Sequence, residues 1–325
     1  MVSKPKELII ISGKGGTGKT SIAASFAALA GRVVLADCDV DAADLHLVLS
    51  PKIERREEFR SGHAAVIRQS DCAGCGDCVA LCRFNAVRRL PRGDQAPKYA
   101  IDPLACEGCG VCVRFCPEEA IDFPERTCGE WFVSETRCGP MVHARLGIAA
   151  ENSGKLVSLV RAQAREVARA RGLGLVLIDG APGIGCPVIA SITGTDLALV
   201  VTEPTLSGLH DLERVSDLTR HFHVETLICV NKWDLNEDLT SRIETLAHRR
   251  GLKLAGRVRY DQAFTDAQIR VQSVVEYAVD GVATDIRQVW SAVLATLKPE
   301  AFALTEGAAR TGDWDRDKDR GRNNA

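Results

Sequence analysis

No stretch of this sequence is long enough to cross a bilayer. Its longest apolar runs, residues 173–178 and 197–201, are strand-sized, well short of the roughly 20 residues a membrane helix needs. A dominant charge is missing as well. Against 41 Lys and Arg stand 43 Asp and Glu, for a formal net charge of −2, which gives no electrostatic ground for expecting nucleic acid or an anionic membrane as partner. No export signal is expected: the N-terminal MVSKPKELIIIS carries an apolar run too short for one and leads straight into a nucleotide motif. A cytoplasmic protein is expected. Its final residues, 305–325, have almost no aliphatics and no apolar face, so they are expected to be disordered and to lack a membrane-binding helix.

Cysteine, by contrast, is abundant. Thirteen in 325 residues, tightly and regularly spaced, favour metal ligation in a reducing compartment over disulfides. The chain length suits about two compact domains. Residues 8–12, 19–30 and 33–37 read as strand, helix and strand, and the alternation resumes after residue 154 with strands at 175–179, 197–202, 226–231 and 253–258. Asn152 or Ser153 is expected to cap a helix running to residue 171, and residues 284–297 to form the last helix. Fully apolar strands separated by helices predict an α/β fold with a mostly parallel sheet covered on both faces. Residues 61–126 interrupt it. The expected division is a discontinuous nucleotide domain, 1–60 and 127–304, with an inserted unit at 61–126.

Gly13-Lys14-Gly15-Gly16-Thr17-Gly18-Lys19-Thr20 follows a strand and opens a helix, the context that makes a phosphate loop credible. Its glycines let backbone N–H groups converge on phosphate, with the helix N-terminus adding positive potential. Lys19 is expected on the β- and γ-phosphates and Thr20 on Mg²⁺. The second lysine, Lys14, resembles the deviant loop of the MinD/ParA/nitrogenase-iron-protein superfamily of P-loop ATPases. That resemblance implies ATP sandwiched in a homodimer or a heterodimer of paralogues, with Lys14 reaching the partner's nucleotide, and a slow, partner-stimulated ATPase. It also implies a switch I at Asp37–Asp41, with Asp39 orienting the attacking water or the magnesium shell ahead of Asp41 and Asp44. A Walker B and switch II region is implied at Asp179–Gly183, with Asp179 holding Mg²⁺ through water. Asn231-Lys232-Trp233-Asp234 matches a guanine-specificity motif, whereas the family resemblance assigns the strand-end asparagine to adenine. ATP is expected and GTP stays open, with Asn231 and Asp234 as base-site candidates.

Within the insert, Cys72, Cys75, Cys78 and Cys82 recur 34 residues later as Cys106, Cys109, Cys112 and Cys116. Two copies of one small unit are implied. Three cysteines at i, i+3 and i+6 wrap a tight loop around a cluster and leave one corner for a thiolate from elsewhere. The pattern resembles bacterial two-cluster ferredoxins, which take the fourth ligand from the other repeat. That resemblance implies one 4Fe–4S cluster on Cys72, Cys75, Cys78 and Cys116, and a second on Cys106, Cys109, Cys112 and Cys82. Pro117 follows Cys116 as in ferredoxins, but Arg83 follows Cys82. Structural zinc is the competing reading, though it usually uses paired CxxC units separated by a longer loop.

Five cysteines remain. Cys38 and Cys229 lie in or beside apolar strands and read as core; Cys128 and Cys138 could be surface thiols or a metal pair. Cys186, seven residues after Asp179, stands where the nitrogenase iron protein has a cluster ligand between subunits, although Gly183 replaces that protein's second switch II aspartate. It is either a dimer-interface ligand for a further metal or cluster, or a buried thiol at a helix start. ATP and clusters in one chain suggest an ATP-gated electron carrier serving a redox partner protein. An Mrp-type cluster or metal-cofactor assembly ATPase is the alternative, and a MinD/ParA spatial organiser a third.

Overall fold

The computed structural model describes residues 4–91, 97–147 and 153–297. The expected cap at Asn152 and the tail 305–325 lie outside the described residues.

Seven strands form the parallel part of one sheet: β1 (Lys6–Ser12), β2 (Val34–Asp37), β9 (Gly139–Leu146), β10 (Leu175–Pro182), β11 (Leu197–Thr202), β12 (Glu225–Asn231) and β13 (Lys253–Val258), in the order β13-β12-β11-β1-β10-β2-β9. Side chains alternate across a strand, and β1 shows the consequence. Leu8 and Ile10 enter one core, with the helices Lys19–Ala30 and Val282–Leu297; Ile9 and Ile11 enter the other, beneath the helix Ser153–Arg171. Four consecutive aliphatics without alternation are what a sheet buried on both faces demands.

Past β9 the sheet turns antiparallel and adds β8 (Glu125–Thr136) and, at the edge, β3 (Lys52–His63). The chain segments entering and leaving the cysteine unit are thus paired in the main sheet, up to His63 and from Glu125. β3 shows no apolar alternation because nearly all of it is exposed, and its run of charges suits a sheet edge that must not pair further. β8 and β9 join through Arg137 and Cys138, and Gly139 is needed next, since a Cβ there would stand 2.3 Å from the Val33 carbonyl oxygen.

Between β3 and β8 lie two small antiparallel pairs. β4 (Val66–Ile67) pairs with β7 (Ile121–Asp122), and β5 (Val87–Leu90) with β6 (Lys98–Ile101). Each cysteine run ends in a single helical turn, Asp77–Leu81 or Val111–Arg114. The buried core of this unit is Ala65, Ile67, Val87 and Ile121, with six of the cysteines packed against it.

Candidate nucleotide and cluster sites

The phosphate loop leaves β1 at Ser12 and enters the following helix at Lys19. Gly18 adopts φ 92°, and a Cβ there would lie 2.4 Å from the Asn231 amide nitrogen, so only glycine fits. That amide donates to the Thr17 carbonyl at 2.7 Å and braces the loop from behind. Lys232, the next residue, donates to the Gly16 carbonyl at 3.1 Å.

Lys19 is buried, with its ammonium 3.6 Å from Asp39. Asp37, at the end of β2, is in register with Asp179 on the neighbouring β10. Both Asp179 oxygens, one Asp37 oxygen and the Thr17 hydroxyl are buried without a hydrogen-bond partner among the described residues. Unpaired buried carboxylates are costly as anions, and their acidities reflect it. Burial pushes Asp179 up to about 6, partly offset by Lys19. Burial, then the Asp179 charge, raises Asp37 well above the usual carboxylate range, and burial raises Asp39 against the pull of Lys19. A pocket of orphaned acids beside a buried lysine and a loop of backbone amides fits a phosphate chain carrying a hydrated divalent cation.

Sequence reasoning singled out Asp39 and Asp179 and passed over Asp37. Its strand-end position is also that of an ordinary helix cap, and only its register with Asp179 marks it out. Asp234, expected near the base, accepts the Tyr260 backbone N–H at 2.7 Å. Lys14 lies on the other flank, with its ammonium 2.5 Å from Glu203.

In the insert the two cysteine runs interlock. One cavity is lined by Cys72, Cys75, Cys78 and Cys116; the other by Cys82, Cys106, Cys109 and Cys112. Each draws three thiols from one repeat and one from the other. Gly74, Gly76, Gly108 and Gly110 all have positive φ where the loops wrap these cavities. The crossing thiols each receive a backbone N–H, Ala86 to Cys82 at 3.3 Å and Ala120 to Cys116 at 3.4 Å. Burial, with Cys72 and Cys75 close by, pushes Cys78 up to about 11. No three His, Cys, Asp or Glu side chains among the described residues are gathered tightly enough for a single metal ion. A four-iron cluster is broader than an ion, and four thiols, three from one repeat and one from the other, are the donor set it takes.

The other cysteines divide cleanly. Cys38 and Cys229 are core. Cys128 and Cys138 are neither surface thiols nor a metal pair. Both are buried, in cores on opposite faces of the sheet, and Cys128 donates to the Ser61 carbonyl at 3.1 Å. β8 and β9 sequester them. Cys186 is exposed at the start of the helix Cys186–Ile192, which corrects the buried-thiol alternative. It packs against Gly154, where a Cβ would meet it at 3.3 Å.

Residues 8–274 match the family model described as the CobQ/CobB/MinD/ParA nucleotide binding domain. An uncharacterized protein of Methanocaldococcus jannaschii is 36% identical over 234 residues, covering 71% of this chain and 79% of that protein. The cell division ATPase MinD of Pyrococcus furiosus superposes with TM-score 0.53 at 15% identity, over 89% of this chain and 98% of that one. The septum site-determining protein MinD of Pyrococcus horikoshii OT3, complexed with Mg-ADP, does so with TM-score 0.53 at 16% identity, over 89% and 96%. At these identities the two structures speak for the fold alone. No helix among the described residues is long and apolar enough to cross a membrane.

Proposed function

This chain belongs to the CobQ/CobB/MinD/ParA nucleotide-binding family, and we propose that it is an ATP-hydrolysing dimeric switch whose ferredoxin-like insert, residues 61–126 by sequence, carries electrons to a partner protein. The observation that carries the reading is the pair of four-cysteine cavities, each completed by the opposite repeat, in a chain that also holds a phosphate loop. Cys72, Cys75, Cys78 and Cys116 would hold one 4Fe–4S cluster, and Cys106, Cys109, Cys112 and Cys82 the other. Bound there, such clusters supply one-electron transfer. The chain's own part is to hold eight thiolates in small apolar cavities, with backbone N–H groups on two of the sulfurs.

At the nucleotide, Gly13 to Gly18 and Lys19 bind the phosphates. Thr20 and, through water, Asp179 would hold Mg²⁺, with Asp37 and Asp39 as the further carboxylates beside it. Asp39 orients the attacking water, and Lys14 reaches the nucleotide of the second subunit. Asn231 braces the loop and stands at the base site. The engagement of Asp234 with the Tyr260 amide favours ATP, because a carboxylate holding a backbone N–H is less available to guanine. Asp179 and Asp37, whose buried oxygens lack hydrogen-bond partners among the described residues, would gain one in a hydrated Mg²⁺, which would link both switch segments to the nucleotide.

A cluster or metal-cofactor carrier is the second reading. It is favoured by one observation, the exposed Cys186 thiol directly after the Asp179–Gly183 segment. Iron and sulfide assays on anaerobically reconstituted protein separate the readings. Two ferredoxin-type sites give about eight irons per chain. Cys72→Ser with Cys106→Ser should lose nearly all of them, while Cys186→Ser should keep them. A Cys186→Ser chain that loses metal and fails to hand it to an apo-acceptor would favour the carrier. Reconstituted wild type without iron would contradict both.

A further inference from the structure

Lys14 is not free in this chain. An ammonium has three donors and no acceptor, and Lys14 has three partners within its own subunit. Its Nζ lies 2.5 Å from Glu203 Oε1, 3.0 Å from Ser207 Oγ and 3.3 Å from Thr205 Oγ1. All three partners sit on or just after the turn leaving β11. Glu203 is itself shared, since its other oxygen takes the Lys232 ammonium at 3.2 Å. Partial burial would raise the Glu203 carboxyl, yet Lys14 and Lys232 together hold it below its usual range.

We propose that Glu203, with Thr205 and Ser207, is a latch that holds Lys14 in cis and sets how much nucleotide and partner subunit are needed to recruit it. This rests on the reading that Lys14 acts across a dimer. A lysine with every donor engaged at home reaches a phosphate on the partner only by surrendering those contacts. Recruitment is then a competition between one carboxylate with two hydroxyls and the phosphate charge of the second site. The arrangement is built to release. When Lys14 leaves, Glu203 keeps Lys232, so no buried charge is stranded, and stranding is what makes breaking such pairs costly. Lys232 also holds the phosphate loop through Gly16, so the latch and the nucleotide loop share a side chain. The pair Arg161–Glu7, buried at 4% and 1% side-chain exposure, is by contrast a permanent tie. The Lys14–Glu203 pair, at 33% and 14%, is reachable by solvent and by a second subunit.

The test is sedimentation of full-length, reconstituted protein titrated with Mg²⁺ and a nonhydrolysable ATP analogue. Glu203→Gln keeps the shape and removes the charge. It should dimerise at about tenfold lower protein concentration than wild type, the scale of one charge-assisted contact. Thr205→Val should shift dimerisation the same way by less, and guards against a Glu203 variant that fails to fold. Lys14→Ala should not respond to nucleotide, with or without Glu203→Gln. If wild type dimerises, Lys14→Ala does not, and neither Glu203→Gln nor Thr205→Val associates more tightly, the latch is wrong while the trans-acting lysine survives. If Lys14→Ala dimerises like wild type, both fall.

Discussion

Around the phosphate loop, charged groups are buried deep: Lys19, Asp37, Asp39 and Asp179 lie between two large apolar cores, one on each face of the sheet. The insert inverts this. Its buried apolar residues among those described are six, three of them alanines, its helices are single turns, and thiols pack against its core. The first region has apolar burial to spare and can tolerate orphaned carboxylates until a cation arrives. The second has little apolar burial to fold on, so on the cluster reading proposed above its structure and its ligands would be one equilibrium. Ligand-dependence would then be local on one side and global on the other.

The largest effect should come from breaking the insert. Removing iron anaerobically with a chelator, or replacing Cys78 and Cys112 by Ala, should leave amides between residues 64 and 124 nearly unprotected in hydrogen exchange. Those of β1 and β10 should stay protected. An insert that remains protected without iron would erase the contrast.

Breaking the other side takes a core charge. Glu7→Ala strands Arg161, buried against β1, and should cost about 3–5 kcal/mol in chemical denaturation. Iron content per folded chain should not change. A loss of iron in parallel would mean the two regions unfold as one.

The antiparallel strands between them give a third, intermediate effect. His143 on β9 is stacked on Phe132, bonded to Ser134 at 2.9 Å, and held at about 4 instead of 6.5 by burial, with a smaller push from His46. Its folded value is depressed and the neutral form is favoured. Its contribution is therefore complete above pH 6.5 and lost as pH falls toward 4, by up to about 3 kcal/mol. His143→Gln should flatten stability in that window, read by urea midpoints at each pH. The smallest effect is expected at the far edge, where the exposed pair Lys253–Glu225 should be worth less than about 1 kcal/mol in a double-mutant cycle.

The loop, its extra lysine and the cysteine repeat were legible because each is a local pattern of spacing; the exchange of one cysteine between the repeats was expected from the ferredoxin resemblance, not from spacing. The parallel sheet was legible from aliphatic runs such as Leu8–Ile11. β3 was not, since an edge strand exposed on both faces has no apolar period to betray it. Cys128 and Cys138 were misread because their burial depends on how β8 and β9 pair within the sheet. Asp37 and Glu203 needed the fold itself: one acquires meaning from a strand pairing, the other from a lysine 189 positions earlier.

Coupling between the two regions is the central claim, and an EPR-monitored redox titration of reconstituted protein tests it most directly. It should be run anaerobically with MgADP and again with a nonhydrolysable ATP analogue. If nucleotide and insert are linked, at least one midpoint should move by about 60 mV or more between the two states, a tenfold change for one electron. Identical midpoints in both states, with analogue binding verified, would contradict the claim and leave two independent ligand sites in one chain.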